Sequence, residues 1–461
     1  MAAGCGPATA PSAKAPPTSQ PAVRYCGGTV TEHEVHRCIW ELTEAQQRRR
    51  GYSQRLVYEN GRLARFEEIN GLGVTLDGNY GSYGVSVYAY EGDRVSGQSL
   101  FDRNGVPRGT TRLSADGTRV EWLDEKGRPR VREGTRASGL IRTLDQRGRV
   151  SSYRYVDAKG AATPSASGRI EVRAKRNEAG ALVENAVFDE QGSPMRDSSG
   201  VHREVFTVDD HGIPTRTEYF GTDGQPIENN DGYHRVDYQF DEVGNKLAEA
   251  YFDVRGRPTR SAVNGAASFR MQNDAHGNET SRTYFDEYGE PLLSKHGYVT
   301  RKILVDAAGD EIEWSFHGFG GELIPFGPGK HAIKREQHDE RGNEILERFF
   351  DANDRPIAIE SGFHAIKLAY DERDNVVLGT YLDKDLKPAR TTKIYASWKY
   401  GYDGDRRVLT QYLSPEQTLM DAGWGYAEIR HDWDELGVEG GKRYFNARGR
   451  EVAHPDVCPP H

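Results

Sequence analysis

The sequence predicts an all-β chain. It reads as a repeat array of antiparallel hairpins, about twelve units of roughly 32 residues, forming a solenoid or open shell with one N-terminal helix. Three recurring features predict it. Glycines open successive runs at Gly168, Gly200, Gly232, Gly265, Gly297, Gly329 and Gly362. A turn-forming Asp or Asn returns at Asp145, Asn177, Asp209, Asp241, Asp274, Asp306, Asp339, Asp371, Asp403 and Asp434. A pair of large residues returns at Tyr219-Phe220, Tyr251-Phe252, Tyr284-Phe285, Phe349-Phe350, Tyr381-Leu382, Tyr412-Leu413 and Tyr444-Phe445. All three step by 31 to 33 residues, with one irregular unit whose pair reads Ser315-Phe316.

Composition supports that reading. Only 36% of the 461 residues are hydrophobic, while glycine alone contributes 52, most at period-locked turns between short strands. The net charge of −9 comes from interspersed acids and bases, so the basic stripe of a nucleic-acid binder is not expected. Arg48-Arg49-Arg50 is the densest basic run and reads as a solvated helix end. No apolar stretch approaches the roughly 18 residues of a membrane-spanning helix.

Residues 1–23 read as a disordered Pro/Ala/Thr tether. Ala3-Gly4-Cys5 resembles the end of a bacterial lipoprotein signal, which implies lipid on Cys5, with Gly6 favouring the outer membrane. No charged n-region or apolar h-region precedes it, so the residues read either as the end of a longer leader or as an ordinary tail. Residues 24–51 are expected to form a capping segment with a helix over 31–49. Thr31 and Glu34 make a capping box, and Val35, Cys38, Ile39 and Leu42 make one apolar stripe. His33, His36 and Cys38 offer only three ligands on no recognised zinc spacing, so no metal site is expected. Of the four cysteines, Cys5, Cys26, Cys38 and Cys458, the pair Cys26–Cys38 is nearest in sequence and could close a short loop in an envelope protein.

Irregular repeats fill 52–167, with compressed copies at Phe101-Asp102 and Leu123-Asp124, and regular ones fill 168–452 before a tail, 453–461. Within a unit, Val236, Tyr238 and Phe240 alternate with Arg235, Asp237 and Gln239, the period of a strand with one buried face. Asp241 caps a turn in which Gly244 takes positive φ, and the return strand Lys246 to Phe252 ends in rings that point to opposite faces. Gly-x-Pro then interrupts pairing, leaving one hairpin and one long connection per unit.

The runs Phe240-Asp241-Glu242-Val243-Gly244, Tyr370-Asp371-Glu372, Tyr402-Asp403-Gly404 and Tyr284-Phe285-Asp286-Glu287-Tyr288-Gly289 resemble the YD-repeat, or RHS-like, family. The resemblance spans about four fifths of the chain, at a longer period than the family's, and implies a shell that encloses a toxin or acts in surface contact. No RHS core segment or toxin domain is recognisable after residue 452, and Tyr58 to Leu63 bears a fainter likeness to MORN-type repeats.

The recurring aspartates read as turn caps rather than catalytic or calcium-binding groups. His202, His234, His331 and His364 each follow an opening glycine by two residues and are expected as exposed strand histidines, broken at Ala267 and Val299. Trp398, Trp424 and Trp433 cluster late as a candidate binding patch, with core packing as the alternative. The expectation is a non-enzymatic cell-envelope or secreted scaffold that binds protein or glycan, without cofactor or metal, reaching a membrane only through a lipid anchor. The alternative is an RHS-like shell associated with a toxin, or an enzyme with a site near the Gly-rich segment 317–329.

Overall fold

The computed structural model describes residues 21–32, 35–76, 84–131, 136–327, 329–404, 406–434 and 439–453. The array begins with the strand Ser53–Glu59, and twenty-six strands to Glu439–Phe445 pair off into thirteen hairpins, twelve of them after residue 84. Each strand pairs antiparallel with its sequence neighbour, so they build one continuous open sheet of a single layer. Ala22–Cys26 extends its start by pairing with both Ser53–Glu59 and Glu41–Leu42.

One unit explains the rest. Arg235–Phe240 meets Lys246–Phe252 with Val236 opposite Tyr251 and Tyr238 opposite Glu249, and the register slips between Gln239 and Phe240 to make room for the corner. There the Oδ1 of Asp241 accepts the N–H groups of Val243 (3.0 Å) and Asn245 (2.8 Å). Gly244 closes the corner at φ 85°, where a side chain would be strained. After Phe252 the same device recurs: Asp253 accepts from Arg255 and Arg257, both at 2.9 Å, and Gly256 sits at φ 76°. The connection is therefore ordered. Pro258 still bridges Phe252, the N–H of Thr259 bonds Tyr251, and a third turn from Ser261 to Gly265 leads into the next strand. The compressed early copy lacks that third turn, since Pro107–Leu113 starts straight after the second corner.

The sheet thus has two edges. One carries the hairpin corners, the other the connections. Its two faces also differ: between residues 203 and 413, apart from Asp403 at its corner, the strand residues on the Val236/Tyr251 face are buried or half-buried, whereas Gln239, Gln272, Lys302, Leu304 and Lys367 on the other face are exposed. Among the described residues no second layer covers the sheltered face, so the sheet is curled toward it.

The curl brings distant units together along a seam. Arg50 donates to Asn245 (2.5 Å), the N–H of Gly51 to Asn278 (2.6 Å), and the N–H of Gly71 to Ala308 (3.0 Å). Farther along, Arg103 reaches Asp374 (2.6 Å), Arg341 and Asn343. Each contact sets the connection edge of an early unit on the hairpin edge of a unit some 195 to 271 residues later. Asp374 occupies the corner position that glycine fills elsewhere, at φ 61°. Burial pushes its carboxyl up, but hydrogen bonds from Arg103, Asn343 and Asn104 hold it below the usual carboxylate range.

The expected helix over 31–49 does not form. Thr29–Glu32 pairs with Val35–Cys38 as a β-hairpin, and Glu41–Leu42 joins the main sheet through Tyr25 opposite Leu42. The β-branched Thr29, Thr31 and Val35 favour strands, and of the apolar stripe Leu42 joins the ladder to Ala22–Cys26 while Cys38 is linked to Cys26. Among the described residues of this span only Glu44–Gln47 is helical, and its capping box is built by Thr43 and Gln46.

Gly244 and Gly256 separate corner strain from seam packing. A Cβ at Gly256 meets nothing within 4 Å, whereas one at Gly244 would fall 1.9 Å from the Trp40 ring. Gly256→Val should cost only the backbone term, about 1–2 kcal/mol. Gly244→Val should cost clearly more and raise amide exchange around residues 38–42 as well as at the corner. Equal destabilisation with unchanged exchange near Trp40 would disprove the seam contact.

Candidate binding face and axial cavity

The paired rings take opposite sides of the sheet. On the sheltered face the first ring of each pair alternates with the residue after the opening glycine. The centroid steps are Tyr298–Phe316 at 5.0 Å, Phe349–Phe363 at 6.0 Å, Phe363–Tyr381 at 4.4 Å, Tyr381–Tyr395 at 5.8 Å, Tyr395–Tyr412 at 4.8 Å and Tyr426–Tyr444 at 4.8 Å. This ladder is a core one side chain thick. Burial pushes up the hydroxyls of its members Tyr298, Tyr381, Tyr395 and Tyr412. On the opposite face the second ring lies beneath an arginine from the paired strand: Arg173 over Phe188 (3.7 Å), Arg203 over Phe220 (4.2 Å) and Arg235 over Phe252 (3.8 Å). The ladder partners were legible after Gly232, Gly297 and Gly362, as Tyr233, Tyr298 and Phe363, but the sequence reading took only the strand-end pair.

The histidines are buried, not exposed. His202, His234 and His364 point an Nδ1 at backbone carbonyls, 2.8 Å to Val187, 2.8 Å to Tyr219 and 3.1 Å to Ile357 respectively. Each also stands edge-on to a ring, His202 on Phe188, His234 on Phe220 and His364 on Phe350. Carbonyls only accept, so Nδ1 carries the proton. The fourth member is displaced. Ala332, not His331, makes the backbone bond equivalent to those of His234 and His364. His331 stands instead in the aromatic ladder, between Phe316 (5.6 Å) and Phe349 (4.9 Å), with a buried Nδ1 that has no hydrogen-bond partner.

The same one-residue offset explains the irregular unit, whose ring pair is Phe316-His317 by strand register. Gly318 replaces the corner Asp, His317 bonds Gly321 (2.9 Å), and Phe326 stacks on Phe316 at 4.1 Å.

Cys5 lies outside the described residues. Cys26 and Cys38 are joined by a disulfide, with Cα atoms 5.7 Å apart, and Cys26 is fully buried beside Leu56 and Phe66. The three late tryptophans are half-buried. Trp398 packs on Tyr381, Trp424 sits among Tyr395, Tyr412 and Tyr426, and Trp433 donates to the Arg407 carbonyl at 3.0 Å. Among the described residues no ring contact joins Trp433 to the other two.

Two polar features went unread. Midway along the sheltered face, Glu336, Glu344 and Glu347 bring carboxylate oxygens within 4.8 Å of one another, with Lys334 paired to Glu336 and 3.5 Å from Glu347. Burial and the two neighbouring carboxylates push Glu344 up to about 7. With Lys334 already among them, the carboxylates form an internal charge network. The second feature is a cavity of about 890 Å³ ringed by hairpin corners of the first coil, at Gly117, Gly148, Gly180 and Gly212, with Thr31 and Arg37 of the N-terminal β-hairpin also on its wall. The β-hairpin thus stands at the axial opening of the coil.

No family model and no curated protein matches this chain. Solved structures that it resembles include a Tc holotoxin pore from Photorhabdus luminescens with a substituted TccC3, at 13% identity and TM-score 0.24, over 87% of this chain and 27% of that one. A TcdB2–TccC3–TEV crystal structure follows at 12% and 0.21 (90% and 28%), and a TcdB2–TccC3–Cdc42 crystal structure at 12% and 0.20 (88% and 30%). This chain spans less than a third of each, and at these scores the likeness stands as similarity alone.

The displaced histidine makes a pH prediction. Burial, with Lys334 nearby, lowers His331 from 6.5 to about 4. The unfolded chain therefore binds this proton first, and His331 withdraws stability as pH falls from 6.5 to about 4. Glu344 works in the other direction, withdrawing stability as pH rises from 4.5 to about 7. Phe363 shows that a Phe ring fits the equivalent place in the ladder. His331→Phe should therefore lose less Tm between pH 6.5 and 4 than the parent chain. Parallel Tm curves would remove His331 from the account.

Proposed function

We propose that this chain is a non-enzymatic binding shell of the cell envelope or of a secreted protein, sharing the build of YD-repeat, RHS-like proteins. The sheltered face carries this reading. It is a half-buried surface that no second layer of described residues covers, set with Tyr238, Met271, Trp314, Glu336 and Tyr400 in the middle row of strand positions. Rings beside fixed charges suit an extended protein or glycan partner. Export agrees with the Cys26–Cys38 disulfide, because such bonds persist in oxidising compartments. A second reading, a shell that holds a toxin polypeptide, draws support from the seam, since a coil closed on itself bounds an interior.

A photo-crosslinker placed at Leu368, on the sheltered face, or at Lys367, exposed on the other, tests the surface. Screened against envelope glycans and proteins, binding should yield adducts from position 368 and not from 367. Adducts equally from both positions, or turnover of a glycan or peptide abolished by one acidic substitution, would overturn the reading. Separately, with an upstream leader supplied, Cys5→Ala should abolish lipid labelling and membrane fractionation. Unchanged labelling would remove the anchor.

A further inference from the structure

The two edges of the coil meet different fates. In the first coil the connection edge is covered at Gly71, Arg103 and Asn104, which rest on hairpin corners of the second coil. In the second coil no described residue covers the corresponding edge. That bare edge carries large exposed apolar side chains among charged ones. Its second corners present Val254, Tyr288, Phe319 and Leu386, and its third turns present Val263 and Ile394, with Tyr288 at 89% and Phe319 at 67% exposure. Beyond residue 250, Leu304 is the one exposed large apolar side chain off this edge among the described residues. The hairpin corners across the same units carry polar or small residues at the matching positions, such as Glu242, Glu340 and Glu372.

We propose that this connection edge, from the Asp253 corner to the turn at Ile394, is an interface through which two copies of the chain meet edge to edge. Continuity with the seam is one argument: the same kind of edge is already a contact surface one coil earlier, where the chain supplies its own cover. The chemistry is the other. Seam edges work through arginine and backbone groups onto hairpin corners, whereas the bare edge offers rings and aliphatic groups that suit their own kind. Charges around it are of both signs, with Arg255, Arg257 and Lys384 beside Glu290, and Arg260 paired to Glu287 at 2.9 Å. A twofold contact sets one patch against itself, which this mixture tolerates and a single-sign rim would not.

Sedimentation of the full chain from micromolar to hundred-micromolar concentration, with circular dichroism to confirm folding, tests the proposal. The parent should dimerise. Tyr288→Asp combined with Phe319→Asp should raise the dimer Kd at least about tenfold while keeping the fold. Leu304→Asp, exposed at 57% but off the edge, should dimerise as the parent does. A chain that is monomeric throughout, a dimer indifferent to the double substitution, or an edge occupied by a different protein while the chain stays monomeric would each overturn it.

Discussion

A carboxylate accepting two backbone N–H groups beside a residue at positive φ is the joint on which this molecule turns. At Asp241 it reverses the strand within the hairpin, and at Asp253 it turns the chain into the connection. Both uses hold register. A slip of one residue would carry every ring to the wrong face. Because the joint recurs at fixed spacing, Tyr251 always lands on the sheltered face and Phe252 on the other. The aromatic ladder and the row of arginine-covered rings follow from that placement alone.

A single-layer sheet has no opposing sheet to bury it, so its stability must come from within the layer and from the curl. Ring contacts in the ladder contribute on the order of 0.5–1.5 kcal/mol each beyond the area they bury. Each ladder ring touches the rings one step away, which makes the array a chain of nearest-neighbour terms. The seam is the exception. Arg103 and Asp374, both almost fully buried, couple units far apart in the chain. Arg341 also lies 2.8 Å from Asp374, so two arginines share this buried carboxylate across the seam.

The sequence displayed whatever is local and periodic. The alternation around Tyr238, the corner role of Asp241 and Gly244, and the opposite facing of Tyr251 and Phe252 could be read directly. The expected helix failed because a helical apolar spacing at Val35, Cys38, Ile39 and Leu42 is also compatible with short strands. The pairing with Tyr25 and the link to Cys26 decided between them. The histidine column misled because spacing from glycine was used where hydrogen-bond register was needed, and one residue of offset moved His331 into the ladder. The seam was invisible, since nothing periodic relates Arg50 to Asn245. A trace did exist: Asn follows the corner at 245, 278, 343 and 375, in the units near the seam, whereas Arg149, Ala181 and Ile213 stand there earlier.

The span of that seam also orders events in time. A ribosome or an export channel delivers residue 50 long before residue 245, and residue 103 long before residue 374. At about 5–20 residues per second the first coil waits roughly 10 to 50 seconds for the strands that will shelter its edge. Throughout that interval Arg50, Gly71 and Arg103 are open to water, to chaperones and to neighbouring nascent chains. The disulfide of Cys26 and Cys38 spans a sequence separation of only 12, so the earliest part of the molecule can be clasped while the later part is still being made.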